Sequence, residues 1–329
     1  MQALGADLGQ SGLKLVGEDG QVNFPSQAAL LTSSAETSLG GGRRRVRPII
    51  VKNETFGEMY VGPHAHRWGV PVENFDFNRL AGVTSEMRAI FYGALTDYQR
   101  RFGAFSEPLK LYVGLPMQML GNDERGKKYE RQVKGWIGGE HHWVADGKEC
   151  SATIESVTLL PQSLGAVVDY AFDMTGAAVS DERNKALTKE NATLWIGSNT
   201  VEAQVTMRDE DTKRFNGGSA IGVRWLKSQM DPGNLYSFGE FDDLLRANDL
   251  PDWMDMRKHL EAWSTQIFGF TNDKWGQAYQ RFHRIFVGGG GSLLLRDHLL
   301  RQFNGKIVFA EDPIMSIAQG LYKAAIVRK

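Results

Sequence analysis

ADLGQSGLKLV, from Ala6 to Val16, reads as a short apolar strand, a turn with Gly9 and Gly12, and a returning strand that carries Lys14. Apolar runs on either side of a glycine turn are a hairpin signal. Half a chain later, LWIGSNTVEAQV, from Leu194 to Val205, repeats the arrangement. Laid over one another, the two put Gly9 on Gly197, Gln10 on Ser198 and Ser11 on Asn199. Self-similarity of this kind predicts two related lobes, each opening with a glycine-turn hairpin.

A third glycine element, FVGGGGSLLLRDHLL, places Gly288 to Gly291 between a strand, Arg284 to Val287, and a helix. Tight glycine turns form anion-binding concavities from backbone N–H groups, and glycine lets the main chain approach a ligand closely. Four glycines in a row cost chain entropy. They are either a loose connection or a ligand contact, and the latter is expected here. Asp7 ends the first strand, and Lys14 lies seven residues further on. Two charges on an exposed hairpin are the plain alternative. The pairing also suits a metal–nucleotide, with the carboxylate anchoring the hydration shell of Mg²⁺ and the ammonium neutralising phosphate.

The 329 residues carry 38 Lys+Arg against 39 Asp+Glu, so no overall basic field draws the chain to nucleic acid or an anionic membrane. No window approaches the ~20 consecutive apolar residues of a spanning helix, and the opening MQALGADLGQ lacks a secretory pattern. A cytoplasmic protein is expected. The single cysteine, Cys150, excludes an internal disulfide and a cysteine zinc cage.

Further elements follow from periodicity. Ile49 to Gly62 alternates as a hairpin, and Met87, Ile90, Phe91, Ala94, Leu95 and Tyr98 predict a helix over Ser85 to Phe102. Leu109 to Leu115 reads as a buried strand closed by Pro116, Tyr129 to Leu159 as a hairpin region, and Leu159 to Asp173 as a strand end entering a helix. Helices are expected near Ala220 to Met230, across Phe238 to Phe268, and within Pro313 to Lys329. Residues 27–48 are expected to form a long exposed loop. Its basic run, Arg43, Arg44, Arg45 and Arg47, is a solvated face, a filament contact or a contact to an anionic partner such as DNA. The pairs His64/His66 and His141/His142 have no cysteine or convergent acidic pair beside them, so surface histidines are expected. Trp225, Trp253, Trp263 and Trp275 are expected in the core or an interface.

The three glycine segments resemble the phosphate-1, phosphate-2 and adenosine motifs of the actin, Hsp70 and sugar-kinase superfamily. Within it, FPSQAA (Phe24 to Ala29), GEMYVGPHA (Gly57 to Ala65), PQSLGAVVDYAF (Pro161 to Phe172) and EDPIMSIAQGLYKAA resemble the prokaryotic actin-like proteins of the plasmid-segregating ParM and archaeal type. The resemblance implies an α/β fold of the actin-like, duplicated ribonuclease H-like kind. Two lobes with mixed sheets flanked by helices would enclose a central nucleotide cleft. Lobe I would be residues 1–162 with 313–329, and lobe II residues 163–312.

The resemblance also implies ATP or ADP with Mg²⁺. The first hairpin would contribute Asp7, Gly9, Gln10, Ser11, Gly12 and Lys14; the second Gly197, Ser198, Asn199 and Thr200; and the adenosine motif Gly288, Gly289, Gly290, Gly291 and Ser292. Asp7 would anchor the metal, and Gln162 would orient the attacking water. The implied function is an ATP-dependent filament for plasmid or DNA segregation or intracellular organisation. Its partners would be copies of itself and a DNA-binding adaptor, with no membrane and no direct sequence-specific nucleic acid contact.

One position departs from the family pattern. Its second hairpin opens with an Asp that contacts hydrated Mg²⁺ and the attacking water, and here that position is Trp195. Losing such a group predicts hydrolysis slower by about 10²–10³-fold. Glu202, seven residues later on the returning strand, is read as structural. The alternatives are therefore a repurposed, non-hydrolysing scaffold filament and, less favoured, a small-molecule kinase, which needs a carboxylate as general base.

Overall fold

In the computed structural model, which describes residues 1–31, 47–72, 77–82, 84–121, 123–208 and 210–327, the opening hairpin is β1 (Gln2–Leu8) and β2 (Gly12–Gly17). The strands are antiparallel with Asp7 opposite Lys14. Leu4, Ala6, Leu8, Leu13 and Leu15 have no exposed surface. A strand apolar on both sides belongs in a sheet covered on both faces. The chain continues through β3 (Gln21–Pro25), β4 (Ala28–Leu31), β5 (Ile49–Asn53), β6 (Gly57–Val61) and β7 (Gly69–Val72). After α1 (Phe77–Leu80) and α2 (Ser85–Phe102) come β8 (Leu109–Leu115), α3 (Glu124–Ile137), β9 (Gly139–Ala145) and β10 (Lys148–Pro161). These strands make one ten-stranded sheet in the order β3, β2, β1, β8, β10, β9, β5, β6, β4, β7.

Helices α4 (Gln162–Ala171) and α5 (Asp181–Lys185) lead to the second hairpin, β11 (Asn191–Ile196) and β12 (Val201–Met207). Short β13 (Glu210–Asp211) and β14 (Gly217–Ser219) pair with β12. Then follow α6 (Val223–Met230), α7 (Phe238–Ala247), α8 (Met256–Trp275), β15 (Ile285–Gly288), α9 (Gly290–Leu294), α10 (Arg296–Gln302), β16 (Ile307–Phe309) and α11 (Ser316–Val327).

The repeat seen in the sequence is a repeat of topology. β1 pairs antiparallel with β2 and parallel with β8, just as β11 pairs antiparallel with β12 and parallel with β15. Each sheet has its own apolar core, one around Phe24, Phe91 and Leu111, the other around Trp263, Phe241 and Phe282.

Two helices cross between the sheets. α4 and α11 meet backbone to backbone at Gly165 and Gly320, where a Cβ on Gly320 would overlap the Gly165 carbonyl. A smaller apolar cluster gathers Tyr112, Val168, Ile317, Leu321 and Trp195 at this junction. Lys323 on α11 donates to Asp169 Oδ1 on α4 at 2.7 Å. Ser163 on α4 also donates to Gln204 on β12, which ties the crossing to the second hairpin.

Several expectations change. Residues 124–137 are helical because Tyr129, Val133, Trp136 and Ile137 bury one face at helical spacing, so the hairpin begins only at Gly139. Ala28–Leu31, read as loop, is a strand between β6 and β7. The helical region from Phe238 breaks where Asn248 takes a left-handed conformation, φ 53°, shortly before Pro251. Arg43, Arg44 and Arg45 lie outside the described residues, whereas Arg47 stacks over Trp68. Trp263 and Trp275 are buried, but Trp253 is 52% exposed. No helix among the described residues is long and apolar enough to cross a membrane.

Candidate functional site

The two hairpin turns face one another across a cleft of about 270 Å³. Its walls include Asp7, Gly9, Gln10, Ser11, Gly12 and Lys14 from the first hairpin, and Gly197, Ser198 and Thr200 from the second. Gly289, Gly290, Gly291 and Gln162 complete the expected set. The carbonyls of both turns are held from behind. Ser26 Oγ donates to Gly9 O at 2.7 Å, and the Arg224 and Gly222 amides donate to Ser198 O and Asn199 O at 2.8 and 3.1 Å.

Three of the expected residues are not among those lining the cleft. Gly288 ends β15 with the Trp195 ring against its Cα, and Ser292 is fully buried with its hydroxyl donating to Gly289 O at 2.8 Å. Asn199 keeps its side-chain oxygen buried. Gly289 has φ 82°, and a Cβ there would press on the Ile196 carbonyl, so the turn requires glycine.

Within the cleft Asp7 is 2% exposed. Lys14 Nζ stands 3.0 Å from Asp7 Oδ2, and Gln162 Nε2 donates to Asp7 Oδ1 at 2.7 Å. Strand register places the lysine, because Asp7 and Lys14 are direct cross-strand neighbours. Pro161 places the glutamine by ending β10 and holding an extended conformation, so that Gln162 is the first residue of α4. A carboxylate, an ammonium and a carboxamide from three elements thus share one hydrogen-bonded unit.

The second hairpin has the same register with different chemistry. Trp195 occupies the place of Asp7 and Glu202 the place of Lys14. The indole packs against the small apolar cluster at the α4–α11 crossing and against Gly288, and it also lines the cleft. Glu202 lines the cleft. Burial pushes its carboxyl up to about 7; a hydrogen bond from Thr200 opposes the rise and the charge of Asp7 adds to it. Two carboxyl groups therefore face one another across the cleft. Glu202, read as structural in the sequence, belongs to the wall. The seven-residue spacing from Trp195 was the signal, since it makes them cross-strand partners.

Part of the cleft wall is apolar. Leu245, Leu293, Leu294 and Ile314 form it, and Leu293 is 51% exposed. Beside them Arg246 Nε donates to Asp242 Oδ2 at 2.8 Å. Helix α7 supplies Phe238, Asp242, Leu245 and Arg246, residues for which the sequence carried no motif. The donor set fits a polyphosphate with a hydrated divalent cation, with Lys14 and the glycine turns on the anion side and Asp7 and Glu202 on the cation side.

The histidines differ from expectation. His141 is buried, donating from Nε2 to Ile137 O at 2.7 Å and meeting the Tyr92 hydroxyl at 3.1 Å, while His142 on the other face of β9 is exposed. The ring of His66 is 2% exposed. Burial lowers the pKa of both His66 and His141.

Residues 5–165 match the profile of the family described as actin-like proteins, N-terminal domain. No curated protein sequence matches the chain. Among solved structures it is similar to the actin-like protein Alp7A, at 12% identity and TM-score 0.75, over 99% of this chain and 96% of that one. It is similar to Ta0583, an archaeal actin homologue in complex with ADP, at 17% identity and TM-score 0.70, over 100% of each. It also resembles ParM in a 15-stranded filament from Clostridium botulinum, at 18% identity and TM-score 0.71, over 98% of each. Residues 5–165 thus carry the profile of the actin-like family, and the chain as a whole has the actin-like fold.

Proposed function

We propose that this is a nucleotide-dependent filament protein that binds ATP and Mg²⁺ in the cleft and assembles head to tail. The observation that carries the reading is the unit of Asp7, Lys14 and Gln162 set between two glycine hairpins. The relatives support it: one is described with ADP and another as a filament. Lys14 neutralises phosphate, Asp7 anchors the hydrated metal, and the apolar wall formed by Leu245, Leu293 and Ile314 takes the base. When bound, Mg²⁺ would offset charge on the phosphates. Gln162 orients the attacking water through its carboxamide. The lobes would follow the division at residues 162 and 313, and closing the cleft would favour subunit contacts.

Trp195 makes hydrolysis slow. An indole neither orients water nor holds a hydrated cation, and Glu202, displaced to the partner strand, offers the remaining carboxyl group of that hairpin. The resulting polymer would be long-lived and suited to moving plasmid DNA through an adaptor or to organising the cytoplasm. Trp195 also favours a second reading, a repurposed, non-hydrolysing scaffold filament that assembles without nucleotide. Sedimentation with electron microscopy of the pellet, in Mg²⁺ with ATP, with a non-hydrolysable analogue and with no nucleotide, separates these. Filaments that require ATP or the analogue support the first reading and filaments without nucleotide the second. No filaments under any condition would overturn both.

A further inference from the structure

His64 precedes the turn Ala65–Arg67 between β6 and β7 and His66 is its middle residue, while Asp243 lies on α7, whose apolar face packs into the second core. The fold closes a gap of 179 residues between them. His64 Nδ1 is 2.8 Å from Asp243 Oδ2, and His66 Nε2 is 3.7 Å from the same oxygen. One ligand atom from each residue lies within 4.8 Å of the other two. Ligands to tetrahedral zinc stand roughly 3.3 Å apart, so small side-chain rotations bring these three into place.

Three further observations bear on the cluster. The Gln27 carboxamide oxygen sits 2.9 Å from His66 Nδ1, which keeps the proton on Nδ1 and leaves the Nε2 lone pair facing Asp243. His64 adopts φ 60°, ψ 17°, a left-handed conformation uncommon outside glycine, and its ring meets Asp243 from there. Finally, a cation is already drawn to these atoms. Arg67 Nη2 is 3.1 Å from Asp243 Oδ2, and Arg67 Nε donates to His66 Nε2 at 3.3 Å. The Arg67 side chain is 58% exposed, so it can swing into water.

We infer that His64, His66 and Asp243 form a zinc site that ties the two lobes together at the rim of the cleft. His64 binds through Nδ1 with its proton on Nε2, His66 binds through Nε2, and Asp243 supplies one carboxylate oxygen. Arg67 leaves as the ion enters. Because α7 also lines the cleft with Asp242, Leu245 and Arg246, the ion holds that wall against the first lobe. This inference stands apart from the nucleotide reading and does not rest on it.

The test is titration of the full chain, stripped with a chelator, with Co²⁺ as a visible probe and Zn²⁺ as competitor. One Co²⁺ per chain with tetrahedral absorption, displaced by Zn²⁺, is expected. His66→Gln should abolish the signal, and His64→Ala and Asp243→Asn should each weaken binding at least about tenfold. Asp243 is half-buried on a helix surface, so Asp243→Asn serves if the buried-ring variant does not fold. Arg67→Ala should tighten binding, because the competing cation is gone. Cys150→Ser should leave the signal intact. The proposal is overturned by a chain that gives no such absorption, by a signal that survives Asp243→Asn unchanged, or by weaker binding in Arg67→Ala.

Discussion

Gln162 Nε2 donates to Asp7 Oδ1 at 2.7 Å although the two residues lie 155 positions apart, one opening α4 and the other next to the last residue of β1. The contact joins the residue expected to orient water to the one expected to hold the cation. Gln162→Ala should therefore lower phosphate release by about 10²-fold. Nucleotide affinity should stay within a few-fold of the parent. A fall in affinity that accounts for the whole loss would show that Gln162 binds rather than positions.

Lys14 and Asp7 form a pair whose side chains are only 12% and 3% exposed. Removing one member of a buried pair leaves an uncompensated charge, at a cost of about 3–5 kcal/mol. Lys14→Met should destabilise the nucleotide-free protein by that order, and adding Asp7→Asn should recover much of the loss. Chemical denaturation of the two single variants and the double variant measures the coupling.

Trp195→Asp should raise phosphate release by up to about 10²–10³-fold, the amount attributed to the missing group. It should also cost stability, because the indole packs at the α4–α11 crossing. Assays belong well below the variant's melting temperature. An unchanged rate would remove Trp195 as the limit on hydrolysis.

Glu202 gives a pH dependence with a definite sign. Its carboxyl titrates near 7 in the folded chain, against an ordinary value of 4.5. Between those values the folded state binds more protons than the unfolded, so this residue's contribution is full below about pH 4.5 and is lost as pH rises through 7. Glu202→Gln should flatten that slope and gain stability over the parent at pH 8 relative to pH 5. Melting curves without nucleotide at the two pH values decide it; equal differences at both would contradict the assignment.

Gly320 faces the Gly165 backbone at the crossing of α4 and α11. A methyl group there forces the helices apart. Gly320→Ala should cost at least about 1–3 kcal/mol, whereas an exposed helical site such as Gly135, with open space around it, should tolerate the same change. Thermal melting compares the two.

Local physics made much of this molecule readable. Apolar runs on either side of a glycine turn marked both hairpins, the spacing of Met87, Ile90, Phe91 and Leu95 located α2, and the glycine turns marked where the main chain approaches the cleft. The helix at 124–137 was missed because its Trp, Ile and Val residues resemble strand composition, and only its period distinguishes it.

What the sequence determined by itself was the duplicated α/β plan and the identity of the cleft's glycines, acid and lysine, because each depends on neighbours a few residues away. Tertiary structure alone decided that Gln162 meets Asp7, that Glu202 joins the cleft wall with its carboxyl held near 7, and that Asp243 meets His64 and His66. Those relationships depend on burial and on contacts across 155 and 179 residues, set only once the two sheets and the crossing helices are assembled.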